Sequence, residues 1–196
     1  MKNRKALLLV MVALASLAFA DDYKIDKGHS EVGFTAKHLM ITNVRGRFTD
    51  FEGSITYDPK DITKSAVKVA IKTASITTDN ESRDNDLRNS EFLDVAKFPE
   101  MTFTSTKVEK RGSQLVLTGD LTIKGVTKRV EIPFTFTGPI NDPWGNQRIA
   151  GEGSTTINRR DYGVTYNQTM KDGSAVVGDE VKINLSVEGV KAKPKP

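Results

Sequence analysis

Apolar and polar residues alternate along most of this chain. In VKVAIKTASI (67–76), Val67, Val69 and Ile71 fall on one side of an extended strand and Lys68 and Lys72 on the other. The same period of two recurs in YKID (23–26), SEVGFTAKH (30–38), VRGRFTDFEGSITY (44–57), MTFTSTKVEK (101–110), SQLVLTGDLTIKG (113–125), RVEIPFTFTG (129–138), QRIAGEGSTTI (147–157) and DEVKINLSVEG (179–189). Thr, Val, Ile and Phe dominate these runs, as strands prefer. Short turn signals separate them at Asp58-Pro59, Arg111-Gly112, Lys124-Gly125 and Pro143-Trp144-Gly145-Asn146. Connections this short predict antiparallel neighbours. The expected fold class is therefore all-β.

One stretch departs from the alternation, TTDNESRDNDLRNSEFLDVAKFPEM (77–101). Thr78 and Glu81 have capping-box spacing, and Asp84 and Arg88 form an i,i+4 pair with the acid first. Arg83 and Leu87 share a helical face. Ser90 is placed to cap a second short turn carrying Phe92, Leu93 and Val95, which Pro99 ends. Short helical segments are thus predicted near 79–95. They carry too few apolar residues to cover the dry faces of nine strands.

Those dry faces must be covered by something else. Either two sheets stack as a sandwich, or one sheet closes into a barrel whose interior is filled by side chains or left open for a ligand. Phe48 lies on one parity of its strand, while Phe51, Ile55 and Tyr57 lie on the other. If all point inward, the strand gains a residue near Thr49-Asp50, the mark of a bulge that bends a barrel strand. Gly151 and Gly153 share the parity of Ile149 and Ile157, and inward glycines leave room or permit tight bending.

The N-terminus reads as a secretory leader over residues 1–20. Lys2, Arg4 and Lys5 precede an apolar run from Ala6 to Phe19, too short to span a bilayer, and Ala18-Phe19-Ala20 has the form of a cleavage site. Export to the periplasm is the expectation. Discounting those three cations takes the formal charge of +4 to about +1, with no concentrated basic patch for nucleic acid. No later stretch is apolar enough to span a membrane as a helix. There is no cysteine, so packing alone must hold one domain over residues 21–190. The charged, proline-rich residues 191–196 are expected to be disordered.

Candidate chemistry is sparse. His29 and His38 would fall on opposite faces of a continuous strand, which argues against a shared metal site. No G-x-S-x-G elbow is present. Asp79, Glu81, Asp84, Asp86 and Glu91 lack EF-hand spacing and read as a solvated helix surface paired with Arg83 and Arg88. His38, at a strand end, is either a rim group contacting ligand or a hydrogen-bonded structural histidine. Arg83 and Arg88 could meet a polar head group if the helix lies over a barrel mouth, or could pair with Asp79 and Asp84. Asn158-Arg159-Arg160-Asp161-Tyr162-Gly163 reads as a turn fixed by its own side chains. No catalytic residue, metal or cofactor is assigned.

Five segments occur in a familiar order: HSEVGFTAKHLMITNVRGRFTDFEG, RDNDLRNSEFLDVAKFPEMTFTST, LTGDLTIKGVTKRV, DPWGNQRIAGEGSTTINRRDYGV and VVGDEVKINLSVEGV. Together they resemble the YceI-like family of secreted, lipocalin-like polyisoprenoid-binding proteins, across essentially all of the chain after the leader. Where that family commonly has proline after Gly-Val-Thr-Lys, this chain has Arg129. The resemblance implies an eight-stranded antiparallel lipocalin-like barrel, often dimeric, that holds a long isoprenoid or a fatty-acid-like amide. The residues expected to line it are Phe34, Ala36, His38, Phe48, Phe51, Val69, Ile71, Leu87, Phe92, Met101, Phe103, Leu121, Phe134, Phe136 and Ile183. Arg83 and Arg88 are the head-group candidates. Burial of the tail is expected to dominate affinity, with weak head-group discrimination. The alternative is a β-sandwich interaction module with a filled core.

Overall fold

The computed structural model describes residues 20–192. The expected leader, all but Ala20, and residues 193–196 of the expected tail lie outside the described residues. Eleven strands form one antiparallel sheet: β1 (Asp21–Ile25), β2 (Glu31–His38), β3 (Thr42–Phe48), β4 (Phe51–Tyr57), β5 (Ala66–Lys72), β6 (Ile76–Thr77), β7 (Glu100–Arg111), β8 (Gln114–Ile123), β9 (Val126–Asn141), β10 (Gln147–Asn158) and β11 (Val177–Lys191). β1 and β2 both pair with β11, at different heights. β4 and β3 pair with them in turn, and β5 and β6 pair with β4 and β3. These six strands are three interrupted staves. With the five continuous strands β7 to β11 they make eight staves, each antiparallel to the next, and β11 returns to β1 to close the ring. Closure removes the sandwich alternative. It also leaves no exposed sheet edge along the closing pair.

The interruptions are a break at Asp26–Ser30, a break at Thr49–Asp50 and a 3-10 turn at Thr73–Ser75. They lie side by side. Thr49 N donates to Ser75 O (3.2 Å) and Lys72 N to Asp50 O (2.9 Å). The parity change expected at Thr49-Asp50 is therefore present, as a break between two strands rather than a bulge within one, and Phe48 and Phe51 are both buried. β11 runs through Lys191, which pairs with Tyr23, so the barrel wall extends one residue past the expected boundary at 190.

One end of the barrel carries the β2–β3 and β8–β9 turns, the segment 78–99 and the long connection 159–176. The other carries the β7–β8 and β9–β10 turns. Within 78–99 lies the helix α1 (Glu81–Arg88), whose cap is Asn80, accepting from Arg83 N at 3.0 Å, and not Thr78. Asn89, not Ser90, caps the following turn by accepting from Glu91 N. Of the acids expected to be solvated, Asp79, Glu81, Asp86 and Glu91 are exposed but Asp84 is not, and the expected Asp84–Arg88 pair is corrected. Asp84 is buried and accepts from Thr78 N (2.7 Å), Thr78 Oγ1 (2.6 Å) and Thr77 Oγ1 (3.0 Å). Arg88 donates to the carbonyls of Ala74 (2.9 Å) and Ile76 (2.7 Å). α1 is thus stapled to the end of β6 by charge-assisted bonds to backbone, which are among the stronger hydrogen bonds available.

Burial alone would push the Asp84 carboxyl up, but the bonds from Thr78 and Thr77 outweigh it and hold the group below the usual carboxylate range. Its stabilising contribution is therefore complete above the unfolded value of about 4 and fades as pH falls below that, through the folded value. Asp84→Asn should melt below wild type at neutral pH, with the gap narrowing as the melts are repeated toward about pH 3. A gap that stayed constant with pH would show that the carboxylate charge does not hold this segment.

Candidate functional site: an apolar cavity along the barrel

The inward faces of the eight staves enclose a cavity of about 300 Å³, at the lower end of the range of about 300–1,000 Å³ common for small-molecule sites. Its wall is aliphatic and aromatic, with Ser65, Glu152 and Arg159 the polar exceptions besides Tyr57 and Tyr162. Fourteen of the fifteen residues expected there line it: Phe34, Ala36, Phe48, Phe51, Val69, Ile71, Leu87, Phe92, Met101, Phe103, Leu121, Phe134, Phe136 and Ile183. His38 does not. It is exposed at the end of β2, opposite Val177, beyond the lined space.

A barrel this rich in phenylalanine could have filled itself. It does not, because two rings lie against backbone where a neighbouring stave has glycine. A Cβ on Gly46 would stand 2.4 Å from Phe34 Cζ, and one on Gly119 would stand 2.4 Å from Phe103 Cζ. Each ring takes the volume that a side chain would have used on the wall, and so stays out of the lumen. Gly151 acts differently. A Cβ there would meet only Thr135 O, at 3.5 Å, so this inward glycine leaves open space in the cavity wall. Gly153, by contrast, allows the backbone of β9 to approach at Pro133 O.

The two ends differ. At one, Tyr23, Tyr57 and Ile149 form a buried plug, with Tyr57 stacked on Phe136 at 5.0 Å and Tyr23 Oη donating to Gln147 Oε1 at 2.7 Å. At the other, Leu87, Phe92, Leu93, Val164 and Val177 line the cavity. There Phe92 stacks on Tyr166 at 4.7 Å, joining the segment after α1 to the 159–176 connection.

That connection begins where the wall parts. β10 pairs with β9 only up to Gly153, opposite Phe134. Beyond it β9 keeps only β8 and β10 keeps only β11. The 3-10 turn Arg159–Tyr162 packs Tyr162 here against Val130 and Ile132, with Ile157 alongside. Asn158 caps the turn by accepting from Arg160 N, and Gly163 ends it in the left-handed region (φ 74°), as the expected self-bonded turn requires.

Arg159 is buried, and its guanidinium donates to Val164 O (2.9 Å), Gly178 O (3.0 Å), Val177 O (3.3 Å) and Asp179 Oδ1 (2.9 Å). One side chain thus pins both ends of the 164–177 loop. Burial pulls the guanidinium below its ordinary value, with the Asp179 charge opposing. The turn reading identified this segment but missed that Arg159 and Tyr162 line the cavity. Strand parity stops where the strand ends, and the available signal was a large aromatic and an arginine between the capping Asn158 and Gly163.

The two head-group candidates are placed elsewhere. Arg83 donates to Thr78 Oγ1 (2.7 Å) and Thr78 O (3.1 Å), and Arg88 to the carbonyls already named. Neither lines the cavity, because both are spent on closing the backbone around α1. Asp79 pairs with Arg47 at 3.0 Å instead. Among the described residues, Asp26, His29 and Glu188 are grouped closely enough to hold a metal ion. Arg148 already bridges them, donating to Asp26 Oδ2 (3.0 Å) and to Glu188 Oε1. A guanidinium therefore stands where a cation would. No helix among the described residues is long and apolar enough to cross a membrane.

Comparison with known proteins follows the same geometry. A model of the YceI-like domain matches residues 23–189. A UPF0312 protein of Pseudomonas paraeruginosa is 44% identical over 179 residues, covering 90% of this chain and 91% of that one. Protein YceI of Salmonella newport is 42% identical over 193 residues, covering 94% and 98%. Among solved structures, a Campylobacter jejuni YCEI protein superposes with a TM-score of 0.70 at 35% identity, covering 86% of this chain and 96% of that one. A polyisoprenoid binding domain from Saccharophagus degradans shares the fold at 14% identity and a TM-score of 0.66, covering 89% and 99%.

The glycine-backed rings make a paired prediction. Gly119→Ala must drive the Phe103 ring off the wall and also crowd Thr104 O, at 2.7 Å. It should cost about 1–3 kcal/mol and lower the melting temperature by roughly 3–10 °C. Gly151→Ala, which meets only the one ordinary contact, should melt within about 2 °C of wild type. Equal losses from the two variants would refute this account of the wall.

Proposed function

This chain belongs to the YceI-like domain family, and from that premise we propose that it binds one long, largely apolar lipid along the barrel axis, as a carrier or a store. The observation that carries the reading is the continuous apolar lumen from the Tyr23–Tyr57 plug to Phe92, kept open by rings held flat on the wall. Each buried methylene is worth about 0.8 kcal/mol, so a tail of about twenty carbons gains on the order of 10 kcal/mol or more. Several kcal/mol of that offset the entropy lost in association and ordering. A polyisoprenoid, an isoprenoid quinone or a fatty-acid amide all fit this requirement, and the polyisoprenoid binding domain that shares the fold supports the class.

Binding without turnover is the proposed activity. Glu152 and Arg159 are the charged members of the lining among the described residues, and Arg159 is committed to three backbone carbonyls and Asp179. The leader-like N-terminus supports a periplasmic site of action.

Organic extraction of the purified protein, followed by mass spectrometry, should release an apolar lipid at close to one per chain. Gly151→Phe supplies the control, since a ring there enters open lumen without displacing backbone. That variant should keep the fold by circular dichroism, bind a fluorescent fatty acid at least about tenfold more weakly than the stripped wild type, and gain less in melting temperature on lipid addition. Undiminished binding by a folded Gly151→Phe would place the lipid somewhere other than the lumen.

A further inference from the structure

Among the polar groups in the cavity wall that the lipid reading leaves without a task, Tyr162 is the one that stands beside a buried cation. Tyr162 is 2% exposed, and its ring is held by Val130, Ile132, Phe103 and Leu121. Tyr23 Oη donates to Gln147 and Tyr166 Oη to Gln168, while Tyr57 lies in the plug at the opposite end. The Tyr162 hydroxyl has no hydrogen-bond partner among the described residues. The hydroxyl is not fully sealed in protein, and the Tyr162 side chain lines the cavity. A buried hydroxyl without a protein partner is costly, and one that borders a ligand space can recover that cost from a water or from an acceptor on the ligand.

The second observation is the cation three residues away. A guanidinium has five N–H donors. Arg159 commits Nε to Gly178 O, one Nη1 hydrogen to Val164 O, and Nη2 to Val177 O and Asp179. One Nη1 hydrogen remains in a side chain that also lines the cavity. Both groups favour an acceptor oxygen. Burial pushes the phenol up to about 12, so it stays protonated and able to donate through neutral pH. The Asp179 carboxylate, beside both Arg159 and Arg160, offsets much of the local positive charge. That disfavours a multiply charged phosphate, which would need more free donors than this corner offers.

Resting on the lipid reading, we propose that Tyr162, backed by Arg159, forms a polar subsite for a carbonyl oxygen on an otherwise apolar ligand. The shared chemistry is that of a quinone, amide, ester or carboxylic acid. The subsite sits beside the parting of β9 and β10, so the carbonyl end lies towards α1 and the tail runs towards the Tyr23–Tyr57 plug.

The test uses two probes of equal carbon number, a long-chain primary amide and the matching alkane, each competing against an environment-sensitive fluorescent dye in stripped protein. Wild type should prefer the amide about tenfold, the effect of one well-made hydrogen bond. Tyr162→Phe removes only the hydroxyl and should bring the two probes within about twofold while leaving alkane binding unchanged. Tyr166→Phe is the comparison, since Tyr166 stands at the same end of the barrel but does not line the cavity, and its hydroxyl donates to Gln168. It should keep the preference. Survival of the preference in Tyr162→Phe, or its loss in Tyr166→Phe instead, would overturn the subsite. Failure of wild type to bind either probe would overturn the lipid reading and not the placement of the hydroxyl.

Discussion

Closing a single sheet into eight staves is the constraint from which the rest follows. Every strand then turns its dry face to one shared interior, and no second layer exists to cover it. A dry void of about 300 Å³ in a close-packed core would cost on the order of 7 kcal/mol, at about 24 cal/mol per Å³. That is comparable with the whole stability of a typical domain, about 5–15 kcal/mol. A lumen left dry would therefore be unfavourable, and filling it with something that resembles its own side chains would offset that cost. Stability and ligand binding are therefore two views of the same apolar contact.

Charge is used sparingly and mostly for architecture. Asp84, Arg83 and Arg88 fasten α1 to the rim, Arg159 fastens both ends of the long loop, and Arg148 spans the break at Asp26. Around α1 and the long loop, side chains bond backbone groups that the ladder cannot pair because the stave has been interrupted or has ended, whereas Arg148 bridges carboxylates across its break. This explains why charged residues near the lined end are poor guides to head-group contacts. Of the polar groups that line the lumen, the one proposed to meet the ligand is an uncharged phenol in a turn.

How legible this was in the sequence depends on what alternation can see. A period of two assigns faces within a strand, so Phe34, Val69, Phe103 and Ile183 could be placed on the wall from the sequence alone. It says nothing about which staves are neighbours, and so could not show that Phe34 lies over Gly46 or Phe103 over Gly119. Those contacts join residues on different strands and decide whether the interior is full. His38 was misjudged because parity does not mark the height at which the lumen ends. The partners of Arg83 and Arg88 were not legible because three of their bonds go to backbone carbonyls, which every residue carries and no sequence pattern marks, and the others to the Thr78 hydroxyl and the Asn85 amide rather than to a carboxylate. Tyr162 was missed because the parting of β9 from β10 leaves both strands looking continuous.

The glycine-backed rings have a bearing on how this barrel could change over time. Phe34 and Gly46 share one parcel of wall volume, as do Phe103 and Gly119, although twelve and sixteen positions separate them in the chain. A lineage that enlarged either glycine alone would push a ring into its own bore. One that shortened either phenylalanine alone would widen the bore by most of a ring. Calibre is thus inherited through these couples, and relatives that house stouter or slimmer guests should differ at both members of a couple together.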